Sequence, residues 1–181
     1  MTEGAVSELD SVPAVTVKFA VHGAADMSAL GTRLASVLRR GDLVVLAGSL
    51  GAGKTTLVQG IGAGLGVRGP VTSPTFVIAR VHPSLRGGPD LVHADAYRLG
   101  SRLEVDDLDL DADLDHSVTV VEWGEGLVED LAQGHLRITI DRPQAARDTD
   151  DQVRTVTLAA YGRRWAEAAG QLRSVLRSPA R

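Results

Sequence analysis

The chain has no cysteine, so disulfides and cysteine-ligated metals are excluded. Aromatic residues make up only 3% of it. No apolar run approaches the roughly 18 residues that a membrane-spanning helix needs. The opening residues, MTEGAVSELDSVPAV, have neither the basic start nor the apolar stretch of a signal peptide. These features predict a cytoplasmic protein with no membrane partner. Basic charge is scarce as well: the formal net charge is −4 at pH 7. That excludes the broad basic footprint of a general nucleic-acid binder, so any RNA is expected to be reached only indirectly, through a partner. Lysine is the scarcest charged residue, with Lys18 and Lys54 set against 17 arginines. Arginine is the default cation here. A lysine inside a glycine-rich loop therefore marks a position that wants a compact ammonium on a flexible stem.

What is present suits one compact domain. The chain has 181 residues, 44% of them hydrophobic, enough to bury a core without staples. The expected organisation is a disordered N-terminus (1–13), a domain over 14–160, and a helical extension with a tail (161–181). Alternation predicts a strand over 15–21, and helical spacing of Met27, Leu30, Leu34, Val37 and Leu38 predicts a helix over 24–40. DLVVLAG (42–48) reads as a buried strand and KTTLVQGIGAGL as a helix weakened by its own glycines. Further strands are expected at 75–82, 90–97, 117–123, 135–141 and 153–160, and one more helix over 163–176. The acidic run at 101–117 lacks the mid-loop Gly and closing Glu of a calcium loop and reads as a solvated helix and loop.

Gly48-Ser49-Leu50-Gly51-Ala52-Gly53-Lys54-Thr55 fits the P-loop (Walker A) pattern G-x-x-x-x-G-K-[ST] at every fixed position, between a predicted strand and a predicted helix. The chemistry explains the pattern. Glycines let the backbone curl so that the amides around Gly51, Ala52 and Gly53 point inward and, with the helix N-terminus, hold phosphate. Lys54 is expected to bridge the β- and γ-phosphates, the Thr55 hydroxyl to ligate Mg²⁺, and Thr56 to lie within reach of the α-phosphate. The motif is specific for nucleotide binding and silent about its purpose. Guanine specificity is not expected, because neither lysine sits in an N-K-x-D motif. ATP is the expected nucleotide.

Two acids sit at the ends of apolar strands, Asp95 in LVHADAY and Glu122 in TVVEW. In open α/β sheets such ends face the crevice that the P-loop lines. Both are candidate metal-linked and catalytic carboxylates. TSPTF (72–76) lies between the P-loop helix and the next strand; Thr75 is placed either to sense a γ-phosphate or simply to begin a strand.

GSLGAGKTT, SPTF, HADAYRL and VEW, in this order and spacing, resemble the TsaE family (also called YjeE), bacterial ATPases of tRNA threonylcarbamoyladenosine modification. The resemblance runs from about Ala24 to Asp141. It implies a P-loop α/β sandwich with a mixed, partly antiparallel central sheet. It implies that Lys54 and Thr55 bind phosphate and Mg²⁺, that Asp95 is the catalytic acidic residue, and that Glu122 is a second Mg²⁺-linked carboxylate with Trp123 beside it. It further implies that Ala24 and Ala25 approach the adenine through their backbone, and that the partners are TsaD and TsaB. A late arginine near the nucleotide is also implied, and Arg147 is the candidate. The sequence departs from the family's commoner Gly-Asp at Gly48-Ser49 and carries a longer, polar segment over 141–154.

Two other classes remain open from the residues alone. One is a small-molecule kinase, although the stretch from Ser101 to Ser117 is acidic where a phosphate-clamping lid needs arginines. The other is a nucleotide-dependent regulatory switch without useful turnover, which SPTF would also suit. Slow intrinsic hydrolysis, completed by a partner, is expected because no obvious arginine finger lies in the motifs. Arg163, Arg164, Arg173 and Arg177 read as a solvated face or a partner contact.

Overall fold

The structure, a computed structural model, describes residues 12–74, 79–99, 104, 110, 113–142 and 153–177. Seven strands form one sheet: β1 (Val15–His22), β2 (Leu43–Gly48), β3 (Ala79–His82), β4 (Asp90–Asp95), β5 (Ser117–Glu122), β6 (His135–Asp141) and β7 (Val153–Ala160). Their order is β1-β7-β6-β2-β5-β4-β3. The central four, β6-β2-β5-β4, run parallel, while β7 and β1 on one flank and β3 on the other join by antiparallel pairing. The sheet is therefore mixed, with its parallel part in the middle. Each residue of β2 is buried or nearly so, and its side chains alternate between two cores: Val44 and Leu46 join one, Leu43 and Val45 the other. This is the signature of a strand covered on both faces.

The larger core is closed by α1 (Gly23–Ala35) and α2 (Lys54–Leu65). Met27, Leu30 and Leu34 of α1 and Leu57, Val58 and Ile61 of α2 are almost wholly buried. Each such side chain contributes about 1.5–3 kcal/mol by leaving water. The glycines that weaken α2 as an isolated helix are what lets it meet α1. A Cβ at Gly60 would fall on the Ser28 carbonyl, one at Gly31 on the Leu57 carbonyl, and one at Gly64 on the Ala35 side chain. Thr32 closes the seam by donating its hydroxyl hydrogen to the Gly60 carbonyl at 3.2 Å.

Some expected elements differ in extent. Helix α1 ends at Ala35, not Arg40. The apolar spacing continues through Val37 and Leu38, which are buried in the turn that follows. There the Asp42 carboxylate accepts the Arg39 backbone N–H at 2.9 Å, a local bond that competes with helix continuation. Strand β4 stops at Asp95 because its Oδ1 accepts the Tyr97 backbone N–H at 2.9 Å, forming a turn. The single helix expected over 163–176 is two, α3 (Arg163–Glu167) and α4 (Ala169–Arg177). They are no loose extension: Trp165 and Leu172 are fully buried in the larger core. No helix among the described residues is long and apolar enough to cross a membrane.

Candidate nucleotide site

The carboxyl ends of β2, β4 and β5 converge on a cavity of about 460 Å³ beneath the 48–53 loop, within the size range of small-molecule sites. The loop's backbone depends on its three glycines, Gly48, Gly51 and Gly53, all at positive φ. Gly48 has φ +141° and no room for a Cβ against the Ile140 carbonyl, and Gly53 caps α2 at φ +111°. Lys54 is buried, and its Nζ donates to the Gly48 and Ser49 carbonyls at 2.7 and 3.0 Å. The ammonium also lies 3.8 Å from the centroid of the Trp123 ring. Burial pulls the Lys54 pKa below its ordinary value, against the opposing pull of Glu122 and then Asp95.

Glu122 is buried, and two donors meet on its Oε1. The Thr55 hydroxyl donates at 2.9 Å, and His93 Nε2 lies at the same distance. Asp95 and Glu122 are register partners on adjacent parallel strands, so both carboxylates line one wall. Trp123, next after the strand, has φ +60°, a left-handed conformation rare for a bulky residue. Its N–H donates to the Leu46 carbonyl at 2.9 Å, and its ring meets that of Tyr97 with centroids 5.1 Å apart.

Of the residues singled out in the sequence, Ala24, Gly51, Ala52, Gly53, Lys54, Thr55, Thr56, Asp95, Glu122 and Trp123 line this cavity. Ala25 does not; it follows Ala24 at the start of α1, where both are exposed. Thr75 and Arg147 lie outside the described residues. The structure adds Tyr97, Met27, Ser73 and Arg154 to the lining. Arg154 comes from β7, opposite Val21 of β1, and its Nε sits 3.8 Å from where a Cβ of Gly53 would stand. No spacing rule in the sequence places it there, because its approach depends on the pairing of β1 with β7. The described oxygen donors (the Thr55 hydroxyl and the two carboxylates) suit a hard divalent cation that also takes phosphate oxygens. The loop, the buried lysine and these donors fit a nucleotide with such a cation.

Sheet order, loop and following helix together define a P-loop NTPase-like fold. The crystal structure of YdiB from Bacillus subtilis aligns with a TM-score of 0.68 at 30% identity, covering 88% of this chain and 95% of that one. The family model described as threonylcarbamoyl adenosine biosynthesis protein TsaE matches residues 21–150, and the chain belongs to the TsaE family. A tRNA threonylcarbamoyladenosine biosynthesis protein TsaE of Streptomyces coelicolor is 65% identical over 143 residues, which is 78% of this chain and 95% of that protein. One from Bacillus subtilis is 36% identical over 141 residues, 77% of this chain and 83% of the relative. The family places the chain in tRNA threonylcarbamoyladenosine biosynthesis.

Proposed function

We propose that the chain binds ATP with Mg²⁺ and hydrolyses it, slowly alone, in support of TsaD and TsaB during tRNA threonylcarbamoyladenosine modification. The observation that carries this reading is the meeting of Lys54, Thr55, Asp95 and Glu122 in one cavity under a P-loop. Thr55 and Glu122 would hold Mg²⁺, with Asp95 beside them. The cation would supply charge neutralisation for the transferring phosphoryl group. Lys54 exchanges its two carbonyl partners for phosphate oxygens, a change its flexible stem allows. Asp95 Oδ1 is tied to the Tyr97 amide, and Oδ2 would orient a water and accept its proton. Arg154 adds a guanidinium at the loop. Ala24 and Met27 wall the far end, where an adenine would lie.

The test measures nucleotide affinity by calorimetry and ATP hydrolysis with and without TsaD and TsaB. Lys54→Ala is expected to weaken ATP binding at least about a hundredfold, near 3 kcal/mol. Asp95→Ala and Glu122→Ala are expected to keep most nucleotide affinity and lose turnover. Unchanged binding by the Lys54 variant overturns the phosphate assignment. Phosphoryl transfer to a metabolite, without stimulation by the partners, favours a kinase instead.

A further inference from the structure

His93 is a buried polar group that the proposed chemistry leaves unused. On β4 it shares a sheet face with Leu91, and the register sets Val118 and Val120 of β5 opposite. Those three residues belong to the larger apolar core. A histidine in such a row gives up hydration for whatever bonds it can make there. It is 0% exposed, and among the described residues its ring has one hydrogen-bond partner, Glu122 Oε1 at 2.9 Å, while Nδ1 has none. A carboxylate oxygen only accepts, so Nε2 carries the hydrogen and donates it. The whole polar capacity of the ring is thus spent on one oxygen of Glu122.

That oxygen also receives the Thr55 hydroxyl. Two donors from different elements, β4 and the first turn of α2, therefore converge on Oε1 and fix the carboxylate plane. Oε2 takes no hydrogen bond from a described residue and is left for the cavity that Glu122 lines. Carboxylates that hold a cation are themselves held by hydrogen bonds, and removing such a support typically costs about 10–100-fold in metal affinity or activity.

We propose that His93 is a positioning residue for Glu122. Its Nε2–H holds Oε1 in the plane in which Oε2 meets the cation that accompanies a bound nucleotide. The inference rests on the proposed role of Glu122 as a cation ligand. Its source is the sheet register, which brings the side chain of residue 93 beside that of residue 122.

The test is a Mg²⁺ titration of ADP binding, followed by calorimetry, on the full chain and on three variants. His93→Gln places an amide N–H near the position of Nε2, whereas His93→Asn reaches only as far as Nδ1. Both are polar and small enough for the site, so a difference between them reports the donor and not the core. The expected result is a loss of about tenfold or more in apparent Mg²⁺ affinity for His93→Asn, near wild-type behaviour for His93→Gln, and unchanged ADP affinity in EDTA for both. Glu122→Gln is run alongside. If it loses the Mg²⁺ dependence while both His93 variants keep it, the positioning role of His93 is overturned and the Glu122 assignment stands. If Glu122→Gln itself keeps the dependence, the Glu122 assignment falls and His93 falls with it. Equal loss in the Gln and Asn variants, with EDTA binding intact, also overturns the donor role.

Discussion

Buried acids sit at both ends of the parallel strands, Asp42 at the amino end and Asp95 and Glu122 at the carboxyl end, and Asp42 and Glu122 are treated in opposite ways. At the amino end, Asp42 is 3% exposed and gripped by Arg164, whose Nε and Nη2 reach its two oxygens at 3.1 and 3.0 Å. Arg164 is fixed in turn by the Val37 carbonyl and by the Trp165 ring beneath it. Burial pushes the Asp42 pKa above its ordinary value, and the Arg39 backbone N–H and Arg164 pull it back. At the carboxyl end, Glu122 is 4% exposed and has no arginine or lysine ion pair among the described residues. It is held by a hydroxyl and an imidazole, and Lys54 beside it is turned to backbone carbonyls. A structural acid is matched within the chain. On the proposed function, Glu122 is an acid kept for a ligand: held in place, with no arginine or lysine ion pair among the described residues.

The comparison breaks most sharply on stability. Asp42→Ala strands the largely buried Arg164 guanidinium and is expected to destabilise the fold by about 3 kcal/mol, read as a lower midpoint in urea unfolding. Replacing both partners, Asp42→Leu with Arg164→Leu, is expected to recover most of that loss, because the buried pair roughly breaks even against apolar packing. Glu122→Gln keeps an oxygen that can accept from Thr55 and His93 and strands no cation, so it is expected to lower the midpoint by no more than about 1 kcal/mol. A loss at Glu122 as large as that at Asp42 would erase the distinction between the two acids.

Next in size is the helix seam. Gly60→Ala drives a methyl group into the Ser28 carbonyl, with an expected cost of about 1–3 kcal/mol. ADP affinity should fall together with stability, since the seam joins the two helices that wall the cavity. Preserved affinity in a destabilised variant would show that the seam serves folding alone.

The smallest effect is a dependence on pH. Burial lowers the pKa of both His82 and His135 below the ordinary 6.5. In each case the unfolded chain binds the proton more readily than the folded one. The associated stability is therefore fully present above 6.5 and is lost as pH falls through and below that value. Unfolding midpoints should decline from pH 7 to pH 5, and His135→Phe should flatten part of the slope. A flat profile in the parent chain would show that these rings keep their ordinary titration.

The phosphate loop was legible because its chemistry is sequential: glycines, lysine and threonine act at fixed spacing on a single turn. Asp95 and Glu122 were legible because strand ends in a parallel sheet share an edge. His93 was not, since a histidine in an apolar strand looks like core until the register shows what it faces. Arg154 was hidden for a similar reason: it reaches the loop through the flank, where β7 pairs with β1. Helix α1 is shorter than its apolar spacing predicts, because Val37 and Leu38 keep the helical spacing while lying in a turn. Of the arginines expected on a solvated face or at a partner, Arg163 is exposed but Arg164 is turned inward onto Asp42, a contact between residues 122 positions apart that spacing does not reveal.

The glycine seam has a mechanical consequence. Gly23 and Ala24 at the start of α1 and Gly53 to Thr56 at the start of α2 wall the same cavity, and helices in backbone contact cannot slide past each other without clashing. An elongated ligand in this cavity would have both of its ends against one stiff jaw. The opposite jaw is made by the ends of β4 and β5, where Asp95, Glu122 and Trp123 sit. On the proposed function, a difference at the nucleotide's phosphate end would be registered at this second jaw.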